Sequence, residues 1–408
     1  MVAIIEHIVE QHAEEAAFLW LMRDSAADAP HYDAHDLARL DARIEAHLDG
    51  LRVAGPAGHE IVAGELERHP EAGEVFAAGV LALESGKEDA VDTVVAVCES
   101  APEARRGLIS AFGWVGPGYL GGTVRAFLDS DEAQRRLLGV AACSLHRADP
   151  TRIHLLHDDA AAVRARTLRL MGEIGRADLL AELTAAIRED EDAGCRFWAA
   201  WSAALIGDRD SALAVLMREA EGGGRHKWRA LDLALRVMTR ADANSWMRGL
   251  NADPAHARLA MVACGVLGDP VAVPWLIEQM ATPALARVAG ESISLITGVD
   301  IAYHNLDTDA PEDFETGPTV DPANERVALD ADQDLPWPDA LTMRDWWEAN
   351  GGKFPAGGRI LLGRPLDQAA CQYALDTGRQ RQRRAAAHEL ALTTPDEKLF
   401  NWRNHPRT

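Results

Sequence analysis

The sequence predicts an all-α protein, an α-solenoid of about eight short helix–turn–helix repeats with a helical cap at each end. Two observations predict this fold. Apolar residues recur at helical spacing in paired runs, and the turn residues between these runs recur with a nearly constant period. The composition agrees, because aromatic residues are only 6% of the 408 residues and runs of β-branched residues are scarce.

The clearest repeat spans residues 163–187. Its first apolar stripe has the spacing of one helix face and comprises Val163, Thr167, Leu170, Met171 and Ile174. Gly175 follows, and glycine readily takes the positive φ that ends a helix. A second stripe comprises Leu179, Leu180, Leu183 and Ile187. The unit is therefore predicted to be a helix, a tight turn and a second helix.

Turn residues recur every 28 to 32 residues along the chain. They are Gly86, Gly116, Arg147, Gly175, Gly207, Thr239, Gly268 and Gly298. Such a period is typical of stacked repeats, because one helix pair cannot bury its own apolar stripes. The alternative is an irregular helical bundle with accidental glycines. We expect an N-terminal helical cap over residues 1–70, the repeat array over 71–301, an acidic loop over 302–339 and a C-terminal helical cap over 340–408.

A resemblance to known repeats is carried by VRARTLRLMGEIGRADLLAELTAAI (163–187) and ARLAMVACGVLGDPVAVPWLIEQM (257–280). Both resemble HEAT-like repeats of the short kind known from phycobilin lyases. The resemblance covers just over half of the chain. It implies a fold and no particular function.

The N-terminal cap is expected to begin with a helix over residues 1–24, with Ile4, Ile8, Leu19 and Trp20 among its buried residues. A second helix, from about residue 36 to 51, follows a capping residue, either Asp33 or His35. His and Asp residues are frequent over 31–49, so a metal site there is an alternative to a solvated helix face.

One arginine falls ten or eleven residues before each turn from the second turn onward. These are Arg106, Arg136, Arg164, Arg196, Arg229, Arg258 and Arg287. The same register in successive repeats places them on one line along the array. Because aspartates precede many of them, the line is interpreted either as an Asp–Arg ladder between repeats or as a basic stripe that binds an acidic partner.

Tryptophan and cysteine residues also recur inside helical segments. The tryptophans of the array are Trp114, Trp198, Trp201, Trp228, Trp246 and Trp275, and each fits either a core or a protein interface. The five cysteines are far apart and form no CxxC pair, which favours buried free thiols in a reducing compartment.

The segment from residue 300 to 339 holds twelve acidic residues and only one arginine, so we expect a partly disordered acidic loop. Asp330, Asp332 and Asp334 have calcium-loop spacing, but the glycine and glutamate that complete an EF-hand are missing. Helices are expected near 341–350, 367–376 and 379–392. The last carries a basic cluster formed by Arg379, Arg381, Arg383 and Arg384. It is either a solvated helix start or a docking patch for an acidic partner or for the protein's own acidic loop.

Composition disfavours several classes of function. The net charge of −23 argues against a nucleic-acid partner, and no stretch is apolar enough to span a membrane. The His59-Glu60 and His388-Glu389 pairs invite comparison with HEAT-like di-iron hydroxylases, but two pairs outside the regular array are too few for a di-iron site. We expect a cytoplasmic protein without a metal, a cofactor or catalytic residues.

The two ends of the chain are more distinctive than its repeats. The relevant sequences are QHAEEAAFLWLMRDSAADAPHYDAHDLARLDARIEAHLDGLRVAG (11–55), LPWPDALTMRDWWEANGGKFPAGGRILLGRPL (335–366) and GRQRQRRAAAHELAL (378–392). They resemble the ends of an uncharacterised bacterial family of HEAT-repeat proteins of about this length. Genes of that family often lie near components of type VI secretion, including spike proteins.

The sequence therefore predicts a non-enzymatic scaffold or adaptor for a protein partner. An accessory protein of type VI secretion, handling a spike or an effector, is its most specific form. An enzyme on a HEAT-like frame, either a lyase or a metal-dependent oxygenase, is the alternative, followed by a nucleic-acid repair protein. The oligomeric state is left open.

Overall fold

The computed structural model describes residues 4–312, 314, 330–394 and 397–403. The helices, numbered in chain order, are α1 Glu6–Ala26, α2 Ala34–Ala54, α3 Pro56–Arg68, α4 Ala72–Ser85, α5 Glu88–Ser100, α6 Arg105–Trp114, α7 Pro117–Leu128, α8 Ala133–Leu145, α9 Ala161–Glu173, α10 Leu180–Glu189, α11 Ala193–Leu205, α12 Ser211–Glu221, α13 Lys227–Val237, α14 Arg240–Ala252, α15 Ala257–Leu267, α16 Val273–Gln279, α17 Pro283–Thr297, α18 Ala340–Asn350, α19 Gln368–Thr377 and α20 Gln380–Thr393.

Two short antiparallel ribbons interrupt the helices. In one ribbon β1 (Asp307–Thr308) pairs with β2 (Trp337–Pro338), and in the other β3 (Ile360–Leu361) pairs with β4 (Arg364–Pro365). The chain divides into two compact units. The first is drawn from residues 1–28, 32–208 and 394–408, and the second from residues 29–31 and 209–393.

Each unit is built from stacked helix pairs, as predicted. In the first unit α4, α6, α8, α9 and α11 pack one on the next, and α5, α7 and α10 connect them. In the second unit α13, α15 and α17 stack in the same way, with α14 and α16 between them. The all-α solenoid of HEAT-like repeats is therefore confirmed.

The turns fall where their period predicts them. Five of the predicted glycines have positive φ at turns between helices: Gly86, Gly175, Gly207, Gly268 and Gly298. Arg147 also takes a positive φ, 50°. Gly116 and Thr239 are instead the residues directly before α7 and α14. After Arg147 the second helix of the repeat is a short 3-10 helix, Ile153–His157.

Neighbouring first helices approach each other closely through a glycine and a serine. A Cβ atom at Gly172 of α9 would lie 2.7 Å from the Cα of Ser202 of α11. The Ser202 hydroxyl donates a 2.7 Å hydrogen bond to a carbonyl one turn before that glycine. In the second unit Gly265 and Ser292 repeat this arrangement, with a hydrogen bond of 2.9 Å. Repeat contacts are thus fixed by small residues as well as by apolar stripes.

The core of the first unit corrects one expectation for α1. Trp20 is buried and stacks on Phe76 of α4, with ring centroids 5.4 Å apart. Leu19 is also buried, as expected, but Ile4 and Ile8 are 40% and 41% exposed, so their predicted burial is wrong. They lie away from the face of α1 that packs on α2 and α4, and that face is formed by Val9, Ala13, Ala16 and Trp20.

The structure also shows the start of α2, the C-terminal helices and part of the acidic segment. Asp33 caps α2 and forms a reciprocal capping box with Asp36, so Asp33 rather than His35 is the cap. The three C-terminal helices are confirmed as α18, α19 and α20. Residues 313 and 315–329 of the expected disordered acidic loop lie outside the described residues.

We predict that Gly172→Ala lowers the free energy of unfolding by about 1–3 kcal/mol, because the new methyl group forces α9 away from the backbone of α11. Gly121→Ala is the matched control. It lies in α7 with no atom within 4 Å of the added Cβ, so about 0.5–1 kcal/mol of stabilisation is expected. Urea denaturation measures both, and equal effects would contradict the close approach.

Candidate functional site

The arginine line forms a continuous ladder in the first unit. Nε and Nη2 of Arg136 donate to the two carboxylate oxygens of Asp158, at 2.6 and 2.9 Å. Arg164 binds Asp190 in the same way, with both distances 2.9 Å. Each of these aspartates belongs to the loop before the next repeat's first helix. Each arginine therefore ties one repeat to the next by a bidentate ion pair.

The third guanidinium nitrogen, Nη1, donates to main-chain carbonyls of the loop before the arginine's own helix. Nη1 of Arg164 donates to the main-chain carbonyl of Asp158 at 2.8 Å, and Nη1 of Arg196 donates to that of Asp190 at 2.7 Å. Each aspartate thus accepts through its side chain from one arginine and through its carbonyl from the next. Arg136 makes the corresponding bonds to the carbonyls of residues 130 and 131.

The aspartates of the ladder are held in their ionised form. The hydrogen bond from Arg136 is the main cause that lowers the pKa of Asp158, against the opposing effect of its partial burial. Arg164 lowers the pKa of Asp190 for the same reason. Each carboxylate also accepts from a backbone N–H two residues ahead, at 2.9 Å in both cases, and so orders the entry to α9 or α11.

In the second unit two arginines of the line bind aspartates from a different segment of the chain. Arg258 donates to both carboxylate oxygens of Asp332, each at 2.6 Å. Nη1 of Arg287 donates to the main-chain carbonyl of Asp332 at 2.8 Å, and its Nη2 binds the carboxylate of Asp330. These aspartates come from the acidic segment and not from the loop between the repeats. The Arg287 guanidinium also lies over the Trp337 ring, 4.4 Å from its centroid.

The ladder between repeats is therefore confirmed at Arg136 and Arg164, whereas Arg258 and Arg287 bind aspartates of the acidic segment. Arg106 pairs instead with Asp24 of α1. Arg229 lies on an exposed part of α13. Partner binding by these arginines stays a prediction.

The C-terminal arginines divide into surface and interior positions. Arg379 donates to Asp300 at 2.7 Å, and Arg381 donates to Glu291 at 2.9 Å. Arg383 is buried and donates to the carbonyl of Leu375 at 2.9 Å, so its guanidinium lies inside the fold. Arg384 is half-buried.

The second unit also contains a buried ionic cluster that links α13 to α20. Asp232 accepts from Arg236 at 2.8 Å and contacts Nδ1 of His388 at 2.5 Å, and Arg236 binds Glu389. Arg359 donates to Glu389 as well. Burial opposes ionisation of Asp232, but Arg236 and His388 offset it and hold the pKa of this carboxyl well below its usual range.

This cluster, together with the ladder, accounts for several residues considered as metal ligands. His388 and Glu389 are engaged with Asp232, Arg236 and Arg359. Of the three aspartates with calcium-like spacing, Asp332 binds Arg258, Asp330 binds Arg287, and Asp334 lies 3.6 Å from His31. Among the residues that the structure describes, no group of three or more His, Cys, Asp or Glu side chains is arranged to hold a metal ion.

The thiols and most of the tryptophans lie in the core. All five cysteines are free and buried, as predicted, and burial raises the pKa of Cys98 to about 11. Trp114, Trp198, Trp201 and Trp246 are buried. Trp228 is 42% exposed and Trp275 is half-buried, so only these two array tryptophans offer substantial surface.

An exposed apolar surface on α1 and the two residues before it is the feature that the sequence analysis missed. It comprises six large side chains that are each 38–58% exposed: Ile4, Ile5, Ile8, Phe18, Leu21 and Met22. Glu14 and Glu15 lie among them along the helix. We call this set the α1 surface. The helix period carries the signal, since Phe18, Leu21 and Met22 share a face that the buried Ala13, Ala16 and Trp20 do not.

Comparisons with known proteins agree with the repeat geometry. The sequence model of the HEAT repeats family matches residues 149–223, which include α9, α10 and α11. Neither the curated proteins nor the solved structures include a match to this chain. In the part of the chain that the structure describes, no helix is both long enough and apolar enough to cross a lipid bilayer.

We predict that Arg164→Ala lowers the free energy of unfolding by about 1.5–3 kcal/mol, because it leaves the poorly exposed Asp190 carboxylate without its partner. The matched control is Arg188→Ala at the exposed end of α10, for which a change within about 0.5 kcal/mol is expected. Chemical denaturation at neutral pH compares the two variants.

The same pair predicts a pH dependence. The folded-state pKa of Asp190 lies below its ordinary value of 3.8, so its contribution is complete above pH 3.8 and is lost as the pH falls through the folded-state pKa. The stability difference between wild type and Arg164→Ala should therefore shrink in acid. A difference that stays constant from pH 7 to the acid-unfolding range would rule out the carboxylate as the source.

Proposed function

We propose that the protein is a non-enzymatic scaffold that binds a protein partner through the α1 surface. HEAT repeats generally serve as protein-interaction scaffolds, and the match over residues 149–223 supports that class of function. The observation that carries the proposal is the exposure of six large apolar side chains, four of them on α1 and two on the residues directly before it. Contiguous exposed apolar patches on soluble domains commonly mark interaction sites.

The composition of α1 favours one kind of partner. Its glutamates are Glu6, Glu10, Glu14 and Glu15, and Asp24 is buried. Its only arginine, Arg23, is buried in an ion pair with Asp41 at 2.8 Å. The solvent-facing side of α1 is thus both apolar and acidic. The complementary partner is a basic amphipathic helix, whose apolar stripe covers Phe18, Leu21 and Met22 while its lysines or arginines face the glutamates.

A second copy of this chain fits the α1 surface less well, because pairing α1 with itself brings glutamates together. Residues 1–352 carry a balance of −28, from 31 basic and 59 acidic residues, so repulsion extends beyond the helix.

The finer form of the proposal concerns the partner's identity. The resemblance of the two chain ends to a HEAT-repeat family encoded near type VI secretion components supports a secretion spike or effector as the partner. In that form the protein is a cytoplasmic adaptor. The arginines of the line and of the C-terminal helix are a separate hypothesis for an acidic partner. It is testable at the exposed Arg229 and the half-buried Arg379.

We predict that Phe18→Ser/Leu21→Ser/Met22→Ser reduces capture of the partner at least tenfold. The tagged chain is used as bait at low salt in cells that carry its gene, and captured proteins are quantified by mass spectrometry. The matched control is Val53→Ser/Tyr119→Ser/Ile153→Ser, which removes three exposed apolar side chains elsewhere in the first unit. Wild type and control should capture the same proteins.

The captured protein is then purified and titrated against each bait. Binding that weakens with salt and protects α1 from hydrogen exchange supports a basic amphipathic partner. If no protein is lost selectively from the α1 variant, the α1 surface is not the docking site. If a protein is instead lost selectively from the Arg229→Glu/Arg379→Glu variant, the docking site lies at these arginines.

A further inference from the structure

The second unit contains a cleft of about 430 Å³ that the scaffold function does not use. It lies between α14 on one side and α15 with the start of α16 on the other. It is lined by Arg240, Asn244, Met247, Arg248 and Asn251 of α14, and by Cys264, Leu267, Asp269, Ala272 and Trp275 opposite them. A volume of this size lies in the range of small-molecule sites.

One wall of the cleft is polar and follows a single helix face. Arg240, Asn244, Arg248 and Asn251 stand at positions i, i+4, i+8 and i+11 of α14. That helix buries a different stripe in the repeat core: Ala243, Trp246 and Leu250. The polar face therefore does not serve core packing. It presents amide and guanidinium donors to the space inside the cleft.

The opposite wall is apolar. Cys264 and Leu267 lie one turn apart on α15, and the half-buried Trp275 adds an aromatic surface. Burial raises the pKa of the Cys264 thiol to about 12, so this side chain stays neutral and behaves as a small apolar group. Met247 brings a flexible apolar side chain from the α14 side.

The charges in the cleft leave one cation available. Arg240 is paired with Asp269, whose other oxygen accepts from the Val271 backbone N–H at 3.1 Å. Arg248 is exposed, and within the described parts of the chain its guanidinium group makes neither an ion pair nor a hydrogen bond. A ligand can therefore bind Arg248 without breaking an existing contact.

We propose that this cleft binds a small organic anion with an apolar, planar body and one carboxylate. The carboxylate binds the Arg248 guanidinium, whose fork matches it in a bidentate pair, and Asn251 lies within one turn to donate a further hydrogen bond. The body lies between Met247 and the wall of Leu267 and Trp275. A doubly charged phosphate fits less well, because the Asp269 carboxylate also lines the cleft.

Calorimetric titration of the full-length chain with 1-naphthaleneacetate, compared with the neutral 1-naphthaleneacetamide, tests the charge requirement. The two probes share their aromatic body and differ in the carboxylate. Wild type should bind the acetate at least tenfold more tightly than the amide. Arg248→Gln should remove that difference, and Arg344→Gln, which changes an exposed arginine on α18, should keep it.

A second variant tests the position of the apolar body. Ala272→Phe fills the cleft and should weaken both probes at least tenfold. The proposal would be overturned if wild type bound the two probes with equal affinity, or if its preference for the acetate survived Arg248→Gln. It would also be overturned if neither probe bound at millimolar concentration. None of these variants alters the α1 surface, so the outcome is independent of partner capture.

Discussion

The bidentate pairing of one arginine with one aspartate of the next repeat is the constraint on which the array depends. Apolar stripes alone allow neighbouring helix pairs to slide, since hydrophobic contact is not directional. The guanidinium fork is directional, and it joins Arg136 to Asp158 and Arg164 to Asp190 at fixed geometry. Each aspartate also accepts from a backbone N–H at the entry to a helix, so one carboxylate fixes both the stacking and the start of the repeat.

The acidic segment has a structural role that its composition does not indicate. In the second unit Asp332 takes the place of a loop aspartate, because it accepts from Arg258 through its carboxylate and from Arg287 through its carbonyl. The position equivalent to Asp158 and Asp190, six residues before Arg287, is Ala281 and has no carboxylate to offer. Asp332, from the acidic segment that follows α17, supplies the missing carboxylate.

These contacts change where interaction surfaces are to be sought. An arginine that is paired with an internal carboxylate must break this ion pair to bind a partner. The partner's own contacts would have to compensate for the lost ion pair. The α1 surface and the Arg248 side of the α14 cleft carry no such cost, because their apolar and charged groups already face solvent. The proposed functions accordingly use side chains that the fold leaves accessible.

The sequence by itself determined the helical repeat, its period and its turns, because these follow from local rules. Helical spacing marks the stripe from Val163 to Ile174, and Gly175 ends it through a backbone conformation that glycine readily takes. The register of the arginines was also visible in the sequence. That register could not show which aspartate each arginine would bind, since the partner lies 22 to 74 residues away along the chain.

Tertiary structure alone decided the rest. Ile4 and Ile8 are apolar residues that the sequence suggests are buried, yet α1 packs through a different face, which includes Val9, Ala16 and Trp20, and leaves them exposed. From the sequence alone, the polar face of α14 is an ordinary solvated stripe. In the structure α15 and Trp275 lie opposite it and form the other wall of a cleft. Whether an apolar or a charged side chain is available to a ligand depends on what packs against it, and that is set by contacts between residues distant in sequence.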